Sequence, residues 1–182
     1  MTREDMRRSK LLSKILRHEP ETFGVILDSL GWANIPELIT AYANVNINLT
    51  RSDLERLVAE DNKVRYEIDT EANTVRARYG HSIEIEQTTD FTEPPDILFH
   101  GTAKKFIASI EGSGIKAQKR QYVHLSEDTA TAYSVGRRHG TPVILEVDAA
   151  TMSSNGYKFI DAGEGLWLIK RVPKEFIIKN SS

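Results

Sequence analysis

Cysteine is absent from this chain of 182 residues. Its absence excludes disulfide bonds, thiolate zinc sites and cysteine nucleophiles. No apolar run approaches the length that crosses a bilayer, and the N-terminal segment lacks the apolar stretch of a secretory signal. The sequence therefore predicts a cytoplasmic protein with no membrane partner.

Several common catalytic signatures are missing as well. The chain has no ATP-binding P-loop, no dinucleotide-binding glycine fingerprint and no serine-hydrolase elbow. Its five histidines lack zinc-protease spacing, and the candidate sites contain few carboxylates. We therefore expect no metal and no glycosidase chemistry. Arginine, histidine and glycine dominate these sites, and such groups suit phosphates and developing negative charge.

Positive charge is local rather than general. The net charge is -2, whereas a protein that binds nucleic acid over its whole surface would be basic. One basic stripe lies on a single face of the first predicted helix and comprises Arg3, Arg7, Lys10, Lys14 and Arg17. Such a stripe is also typical of an ordinary solvated face, so it does not prove binding.

An acidic stretch with two adjacent prolines, Pro94 and Pro95, divides the chain. It includes Glu84, Glu86, Asp90, Glu93 and Asp96. We therefore predict an N-terminal lobe over residues 1–82, a linker over residues 83–96 and a C-terminal lobe over residues 97–182.

The N-terminal lobe is predicted as three helices followed by a hairpin. Thr2, Asn34 and Thr50 are suited to cap the helices. Apolar and polar residues then alternate over residues 63–68 and 75–79, on either side of a predicted turn at Asp69–Asn73. This order is that of a winged helix, a common nucleic-acid scaffold, although a fold alone does not establish that role.

The C-terminal lobe is richer in strands. Candidate strands are Ile97–His100, Tyr122–Leu125, Val143–Val147, Tyr157–Ile160, Leu166–Ile169 and Phe176–Ile178, and candidate helices are Lys104–Glu111 and Glu127–Val135. The spacing is not that of a regular βαβ series. We therefore predict an α+β protein with a mixed or antiparallel sheet in this lobe.

Two basic features of the N-terminal lobe are candidates for a phosphate site. Arg17-His18 ends the first helix just before Pro20, which would hold both side chains at a fixed corner. Arginine offers a planar fork for phosphate oxygens, and histidine adds a donor. A second basic patch would form on the hairpin if its strands pair; it comprises Lys63, Arg65, Arg76 and Arg78. Such residues also serve solubility on exposed strands.

The C-terminal lobe offers three short candidates. His100-Gly101-Thr102 follows an apolar strand, where glycine would let a ligand approach the backbone, although an ordinary turn is equally typical. His124 lies in an apolar strand, and Ser126 is suited to cap the next helix, with Glu127 and Asp128 in its first turn. The third, Gly136-Arg137-Arg138-His139-Gly140, combines a predicted helix C-cap and turn with a compact anion-binding composition.

Taken in order, these segments resemble the RNA 2'-phosphotransferase family, also called tRNA 2'-phosphotransferase, in its bacterial type. The resemblance runs from about Ser9 to Phe176. It is carried by Ser9-Lys10-x-Leu12-Ser13-x-x-Leu16-Arg17-His18-x-Pro20, Arg65-Tyr66, Gly80-His81-Ser82, His100-Gly101-Thr102, Val123-His124-Leu125-Ser126, Val135-Gly136-x-Arg138-His139-Gly140 and Trp167-Leu168.

The resemblance implies a winged-helix RNA lobe and a C-terminal lobe of ADP-ribosyltransferase type. It implies removal of an internal 2'-phosphate from RNA, as in tRNA splicing, with NAD consumed. A 2'-phospho-ADP-ribosylated RNA would be the intermediate, with nicotinamide and ADP-ribose 1'',2''-cyclic phosphate as products. The implied catalytic residues are Arg17, His18, Arg65 and Arg138, and the implied NAD-binding residues are His100, Gly101, Thr102, Arg120, His124 and Ser126.

We assign Lys10, Lys14, Arg76 and Arg78 to RNA binding and expect a monomer acting on tRNA-like RNA. Two alternatives remain. The first is an ADP-ribosyltransferase that acts on a protein or a nucleic-acid end. Such enzymes often use a glutamate on a late strand to activate the acceptor, whereas the resembling family has an apolar residue there, which we place at Leu166. This alternative would gain weight if Glu164 pointed into the pocket. A non-enzymatic winged-helix binder would leave the C-terminal motifs unexplained.

Overall fold

The computed structural model describes residues 2–86 and 91–178. The chain forms two compact units, residues 1–88 and 89–182. This division falls inside the predicted linker 83–96, of which residues 87–90, including Asp90, lie outside the described residues. Each unit has its own buried apolar cluster.

The N-terminal unit contains three α-helices and three strands. They are α1 (Arg3–Arg17), β1 (Trp32–Asn34), α2 (Ile35–Asn44), α3 (Arg51–Ala59), β2 (Tyr66–Asp69) and β3 (Thr74–Ala77). The predicted N-caps are confirmed, because the side chains of Thr2, Asn34 and Thr50 each accept a hydrogen bond from a backbone amide in the first turn. Thr2 and Thr50 form complete capping boxes with Asp5 and Asp53.

The predicted hairpin is present, but the sheet is larger and its strands are shorter than expected. β3 pairs antiparallel with β2 and also with β1, a three-residue strand too short for periodicity to reveal. The predicted alternation included Val64 and Tyr79, and both lie outside the strands. Val64 has a φ of 44°, a left-handed conformation that a β-branched residue rarely adopts and that no strand accepts.

The core of this unit lies under the apolar face of α1. Leu12, Ile15 and Leu16 are fully buried, as are Leu38 of α2 and Leu54 of α3. Burial of each such side chain contributes about 1.5–3 kcal/mol. The opposite face of α1 carries the basic stripe, which is exposed except at the half-buried Arg17, so the amphipathic pattern of the sequence sets how this helix packs.

The C-terminal unit is an α+β arrangement, as predicted. Its elements are β4 (Ile97–Ala103), α4 (Ile107–Ser113), β5 (Ile115–Lys116), β6 (Val123–Ser126), α5 (Thr129–Gly136), β7 (Pro142–Asp148), α6 (Ala149–Ser154), β8 (Ile160–Asp161), β9 (Leu166–Ile169), β10 (Arg171–Val172) and β11 (Ile177–Ile178). Six strands form one sheet in the order β11-β7-β4-β6-β9-β8, and β5 pairs with β10. Every strand pairing among the described residues is antiparallel.

The prediction for the start of α5 was wrong. Asp128, not Ser126, is its N-cap and accepts a hydrogen bond from the amide of Thr131 at 2.7 Å. Ser126 instead belongs to β6, where pairing with β9 uses its backbone. The predicted C-cap was also wrong, since Gly136 is the last residue of the helix and Arg137 follows as the cap.

Gly101 and Gly136 serve the close approach of β4 and α5. A Cβ on Gly101 would lie 1.7 Å from the carbonyl oxygen of Ala132, and one on Gly136 would lie 2.5 Å from that of Thr102. The sequence analysis predicted that a ligand would approach the backbone beside Gly101. The structure shows that the helix backbone fills it, which fixes the strand carrying His100 and Thr102 against α5.

Within the described ranges 2–86 and 91–178, no helix has both the length and the apolar character needed to cross a membrane.

Candidate functional site

Arg17 lies at the end of α1, as predicted, with its guanidinium between two tyrosine rings. Its Cζ is 5.5 Å from the ring centroid of Tyr66 and 5.2 Å from that of Tyr79. Gly80 passes beside it with a φ of 89°, and a Cβ there would lie 3.3 Å from Arg17 Nη1. Ring faces orient a guanidinium without neutralising its charge, so these contacts hold Arg17 in place as a cation.

His18 follows as the C-cap of α1 and is exposed. Its Nδ1 is 2.9 Å from Ser82 Oγ. The amide of Ser82 donates to the carbonyl of Arg17 at 2.9 Å, and its hydroxyl donates to the same carbonyl at 3.5 Å. With the hydroxyl proton directed there, Ser82 Oγ accepts from Nδ1–H, and Nε2 becomes the ring atom that can exchange a proton with a ligand.

Arg65, immediately before β2, is held by a carboxylate. Its Nε and Nη2 donate to Asp61 Oδ1 at 2.9 and 2.7 Å, and its backbone amide donates to Asp61 Oδ2 at 2.6 Å. Its Cζ also lies 5.4 Å from the Tyr66 ring centroid. Hydrogen bonding to Asp61 raises the pKa of Arg65 despite the opposing effect of burial, so the group is a permanent cation.

The ring of Tyr66 therefore brings the two predicted arginines together. Arg17 and Arg65 both lie within about 5.5 Å of its centroid, although they come from different elements. Tyr79 completes the arrangement and is fixed by its hydroxyl, which donates to the carbonyl of Lys63 at 2.6 Å. We call this set the arginine–tyrosine cluster; it comprises Arg17, His18, Arg65, Tyr66 and Tyr79.

His81 lies next to this cluster and is 2% exposed. Neither of its ring nitrogens has a hydrogen-bond partner among the described residues. Burial and then the positive charge of Arg17 lower the pKa of His81 to about 4. His81 is therefore neutral at physiological pH and adds no charge beside Arg17.

The residues assigned to RNA binding are placed unequally. Lys10 and Arg78 are exposed. Lys14 forms an ion pair with Glu19 at 2.9 Å. Arg76 donates to Glu67 across the hairpin at 2.8 Å and lies 4.5 Å from the Trp32 ring centroid. The predicted basic patch of the hairpin is thus partly neutralised by its own sheet.

The C-terminal unit places the predicted NAD-binding side chains on neighbouring strands. His100 lies in β4, and its Nδ1 is 3.1 Å from the carbonyl oxygen of His124 in β6. Nδ1 must therefore carry a proton, which leaves Nε2 as an acceptor in the neutral ring. Burial lowers the pKa of His100, which favours that neutral form. Thr102 and Ser126 are both buried.

Arg120 and Arg138 lie outside the strands of this unit. Arg120 Nη1 is 3.4 Å from His124 Nδ1, which associates it with the predicted NAD residues. Arg138 is exposed in the turn after α5. Its amide donates to the carbonyl of Val135 at 3.2 Å, so the helix end fixes its backbone. Across the described segments, no group of three or more histidines and carboxylates could hold a metal ion.

Comparison with known proteins identifies the family. The sequence model described as "RNA 2'-phosphotransferase, Tpt1 / KptA family" matches residues 3–171. The chain belongs to this family. A relative from Nostoc punctiforme is 43% identical over 171 residues, which cover 94% of each chain. One from Pseudomonas syringae pv. tomato is 45% identical over 173 residues, covering 94% of this chain and 92% of the relative. Both are named "Probable RNA 2'-phosphotransferase".

Membership of the Tpt1 / KptA family confirms the resemblance found in the sequence. It does not assign roles to individual residues, and those assignments stay predictions. Sequence reasoning also overlooked Asp61, which lies four residues before Arg65. An acidic residue at that spacing could have indicated a partner, but only if the segment is a turn, and alternating hydrophobicity suggested a strand instead.

Proposed function

We propose that this chain is an NAD-dependent RNA 2'-phosphotransferase. It would convert RNA with an internal 2'-phosphate to RNA with a free 2'-hydroxyl, through a 2'-phospho-ADP-ribosylated RNA, releasing nicotinamide and ADP-ribose 1'',2''-cyclic phosphate. Family membership supports the phosphotransfer. The observation that carries the proposal is the arginine–tyrosine cluster, which gathers the cations such a reaction needs.

The cluster suits a phosphate that changes its charge and shape during reaction. Arg17 lies against ring faces, and Arg65 uses Nε and Nη2 on Asp61, which leaves its Nη1 for a ligand. In a pentavalent transition state, charge accumulates on the nonbridging oxygens, and preorganised guanidiniums stabilise it without reorganising. Arg138, in the C-terminal unit, is proposed as a further catalytic residue on the strength of the family resemblance.

His18 is proposed to handle the proton of the second step. When the phosphate leaves RNA, the RNA 2'-oxygen must gain a proton. In its protonated form, His18 would donate from Nδ1–H to Ser82 and deliver the second ring proton from Nε2. His18 would thus act as general acid while the arginines hold the phosphate.

NAD would be held by His100, Gly101, Thr102, Arg120, His124 and Ser126, and when bound it supplies the anomeric carbon that accepts the phosphate oxygen. The residues present fit this group. The neutral His100 offers an Nε2 acceptor for a ribose hydroxyl, and Thr102 and Ser126 add buried hydroxyl groups on adjacent strands. The side-chain face of Gly101 is filled by α5, so it would contribute through its backbone.

RNA would bind the N-terminal unit, whose three helices and hairpin have the order of a winged helix. Lys10 and Lys14 on the exposed stripe of α1 would follow the RNA backbone, with Arg78 close to the cluster because its amide donates to the carbonyl of Arg65. Lys14 and Arg76 are the weaker members of this set, since each already forms an ion pair, with Glu19 and Glu67 respectively. Phosphate contacts of this kind position RNA without reading its sequence.

The decisive experiment is incubation of a 2'-phosphorylated oligonucleotide with and without NAD. We expect loss of the 2'-phosphate and release of nicotinamide only when NAD is present. An oligonucleotide with a 2'-hydroxyl is the matched control and should give neither product. Retention of the 2'-phosphate in the presence of NAD would overturn the proposal.

The second candidate is ADP-ribosyl transfer to another acceptor, which the same experiment separates. Glu164, the carboxylate that would activate such an acceptor, is exposed in the turn before β9 with a φ of 53°. On the strand itself the position is taken by Leu166, paired with Ser126. ADP-ribose attached to the unphosphorylated oligonucleotide or to protein would favour this candidate.

A further inference from the structure

Asp61 is a buried carboxylate for which the proposed reaction has no direct use. It lies just beyond α3, and its side chain is 4% exposed. Both of its oxygens accept from Arg65, Oδ1 from the guanidinium and Oδ2 from the backbone amide, and the backbone of Lys63 adds a further hydrogen bond. A single carboxylate thus holds both the backbone amide and the guanidinium of Arg65.

The chain between the two residues is held in a tight turn. The amide of Val64 donates to the carbonyl of Asp61 at 2.8 Å, and Val64 adopts its φ of 44° there. A β-branched residue in this conformation costs on the order of 1–3 kcal/mol, and such strain persists only where surrounding contacts impose it. The hydrogen bonds of Arg65 to Asp61 and of the Val64 amide to the Asp61 carbonyl close the turn in which this conformation occurs.

Asp61 remains ionised beside Arg65. Burial opposes ionisation, but the hydrogen bonds and charge of Arg65 outweigh it and hold the pKa of Asp61 below its usual value. An ionised carboxylate next to a phosphate site weakens the attraction of that site for an anion. Buried ion pairs also contribute little net stability compared with apolar residues. Neither phosphate affinity nor stability therefore accounts for a carboxylate at this position.

The orientation of the Arg65 side chain accounts for the Asp61 carboxylate. Arginine has a long, flexible side chain, and fixing it in advance removes an entropic cost from the reaction step. We propose that Asp61 is a positioning residue of the phosphate site, acting by locking Arg65 so that its remaining Nη1 edge faces the transferred phosphate. This inference rests on the proposed function.

The test compares Asp61→Asn with the unchanged full-length chain on a 2'-phosphorylated oligonucleotide with NAD. Asparagine keeps the shape but loses the charge and the second accepting oxygen. We expect kcat to fall about 10- to 100-fold, since small displacements of a catalytic group have effects of this size, while KM for the oligonucleotide changes little. The 2'-phospho-ADP-ribosylated RNA should accumulate.

A double-mutant comparison distinguishes positioning from a purely structural role. If Asp61 acts through Arg65, the double variant Asp61→Asn/Arg65→Ala should react no more slowly than Arg65→Ala. Asp5→Asn is the matched control, because Asp5 is 4% exposed and accepts from Arg56 at 2.6 Å in the same unit. It should lower stability without accumulation of the intermediate.

Each outcome bears on one hypothesis or both. An unchanged kcat in Asp61→Asn, or defects that multiply with those of Arg65→Ala, would overturn the positioning role alone. No reaction by the unchanged chain would overturn the proposed function and this inference with it. Should Asp61→Asn fail to fold, Asp61→Glu keeps the charge but displaces it by one methylene. It should lower kcat if position matters, and unchanged turnover in that variant would equally refute the proposal.

Discussion

The N-terminal unit contains two groups of arginines that differ in what surrounds them. In the first, which we call the ion-pair cluster, Arg8 and Arg56 are bound by carboxylates. It comprises Arg8, Arg56, Glu4, Asp5, Asp53 and Glu60. In the second, the arginine–tyrosine cluster, guanidiniums lie against aromatic rings and Arg65 is tied to Asp61.

The two groups differ in what surrounds the guanidiniums. Carboxylates neutralise Arg8 and Arg56 and join α1 to α3. Arg17 instead has cation–π contacts with Tyr66 and Tyr79. The second group also has unfavourable features close by, such as the left-handed Val64 and the buried His81, whose ring has no hydrogen-bond partner in the part of the chain that the structure describes. Sites of chemistry often retain strain of this kind.

The largest expected effect contrasts one arginine from each group. Arg65→Ala should lower turnover at least about 100-fold and leave ADP-ribosylated RNA unresolved, because in the proposed reaction it removes a donor to the developing charge. Arg56→Ala should lower the melting temperature and leave the activity of the folded fraction unchanged. Product analysis and thermal denaturation of both variants check this. Equal loss of activity would remove the distinction between the two groups.

The next prediction concerns the pH dependence of stability, because the two groups should lose stability over different pH ranges. The pKa of His81 falls from 6.5 to about 4 on folding, so protonation favours the unfolded chain. Stability should therefore decrease as pH falls from about 6.5 towards 4, by a few kcal/mol at most, since one pKa unit is about 1.4 kcal/mol. Urea unfolding at several pH values should show this slope, and His81→Gln should flatten it.

The ion-pair cluster should respond at lower pH. Hydrogen bonds from Arg56 and Thr2 hold the pKa of Asp5 well below its usual value, so its contribution is present above pH 4 and is lost as pH falls further. Asp5→Asn should reduce stability at neutral pH and flatten the slope only below about pH 4. If this variant changed the slope of stability against pH above pH 5, the pH ranges assigned to Asp5 and His81 would be wrong.

A smaller effect is expected at the contact that orients His18. Ser82→Ala removes the hydroxyl 2.9 Å from Nδ1 and should lower kcat about tenfold, equivalent to about 1.4 kcal/mol. Ser82→Thr retains a hydroxyl and should restore most of the rate. The pH profile of kcat should shift in the alanine variant but not in the threonine variant. If threonine restores nothing, the hydroxyl is not what matters.

The smallest effect tests the strain beside the arginine–tyrosine cluster. Asparagine tolerates the left-handed region better than valine, so Val64→Asn should raise the free energy of unfolding by about 1 kcal/mol. Its contact with Asp61 through the backbone is retained, so kcat should change little. Chemical denaturation measures the first quantity and steady-state kinetics the second. A loss of stability would show that the turn at this residue is not strained.

Local signals predicted much of the N-terminal unit because they act over a few residues. Thr2, Asn34 and Thr50 each cap the helix that follows them, and the side-chain acceptor lies three residues from its donor. The α5 boundary was wrong because Ser126 and Asp128 are equally suited to a cap, and only pairing of β6 with β9 decides between them. β1 was missed because three residues carry no period.

The candidate site divides in the same way. Arg17-His18 could be found from a helix end followed by proline, whereas the functional weight given to Arg65 came from the resemblance to a family. Asp61 could not be found, because its importance lies in three hydrogen bonds across a turn that the pattern of hydrophobicity concealed. The use of Gly101 also depends on α5, which only the tertiary structure places beside it.

The contact between Gly101 and Gly136 also limits how this protein can change. With backbone on both sides, neither position has room for even a methyl group. A saturation library should therefore accept glycine alone at both positions, whereas the exposed turn after α5 should tolerate many residues except at Arg138. If the chain binds NAD as proposed, variation in cofactor preference would then have to arise from loops such as the one carrying Arg120, because α5 fixes the strand that carries His100.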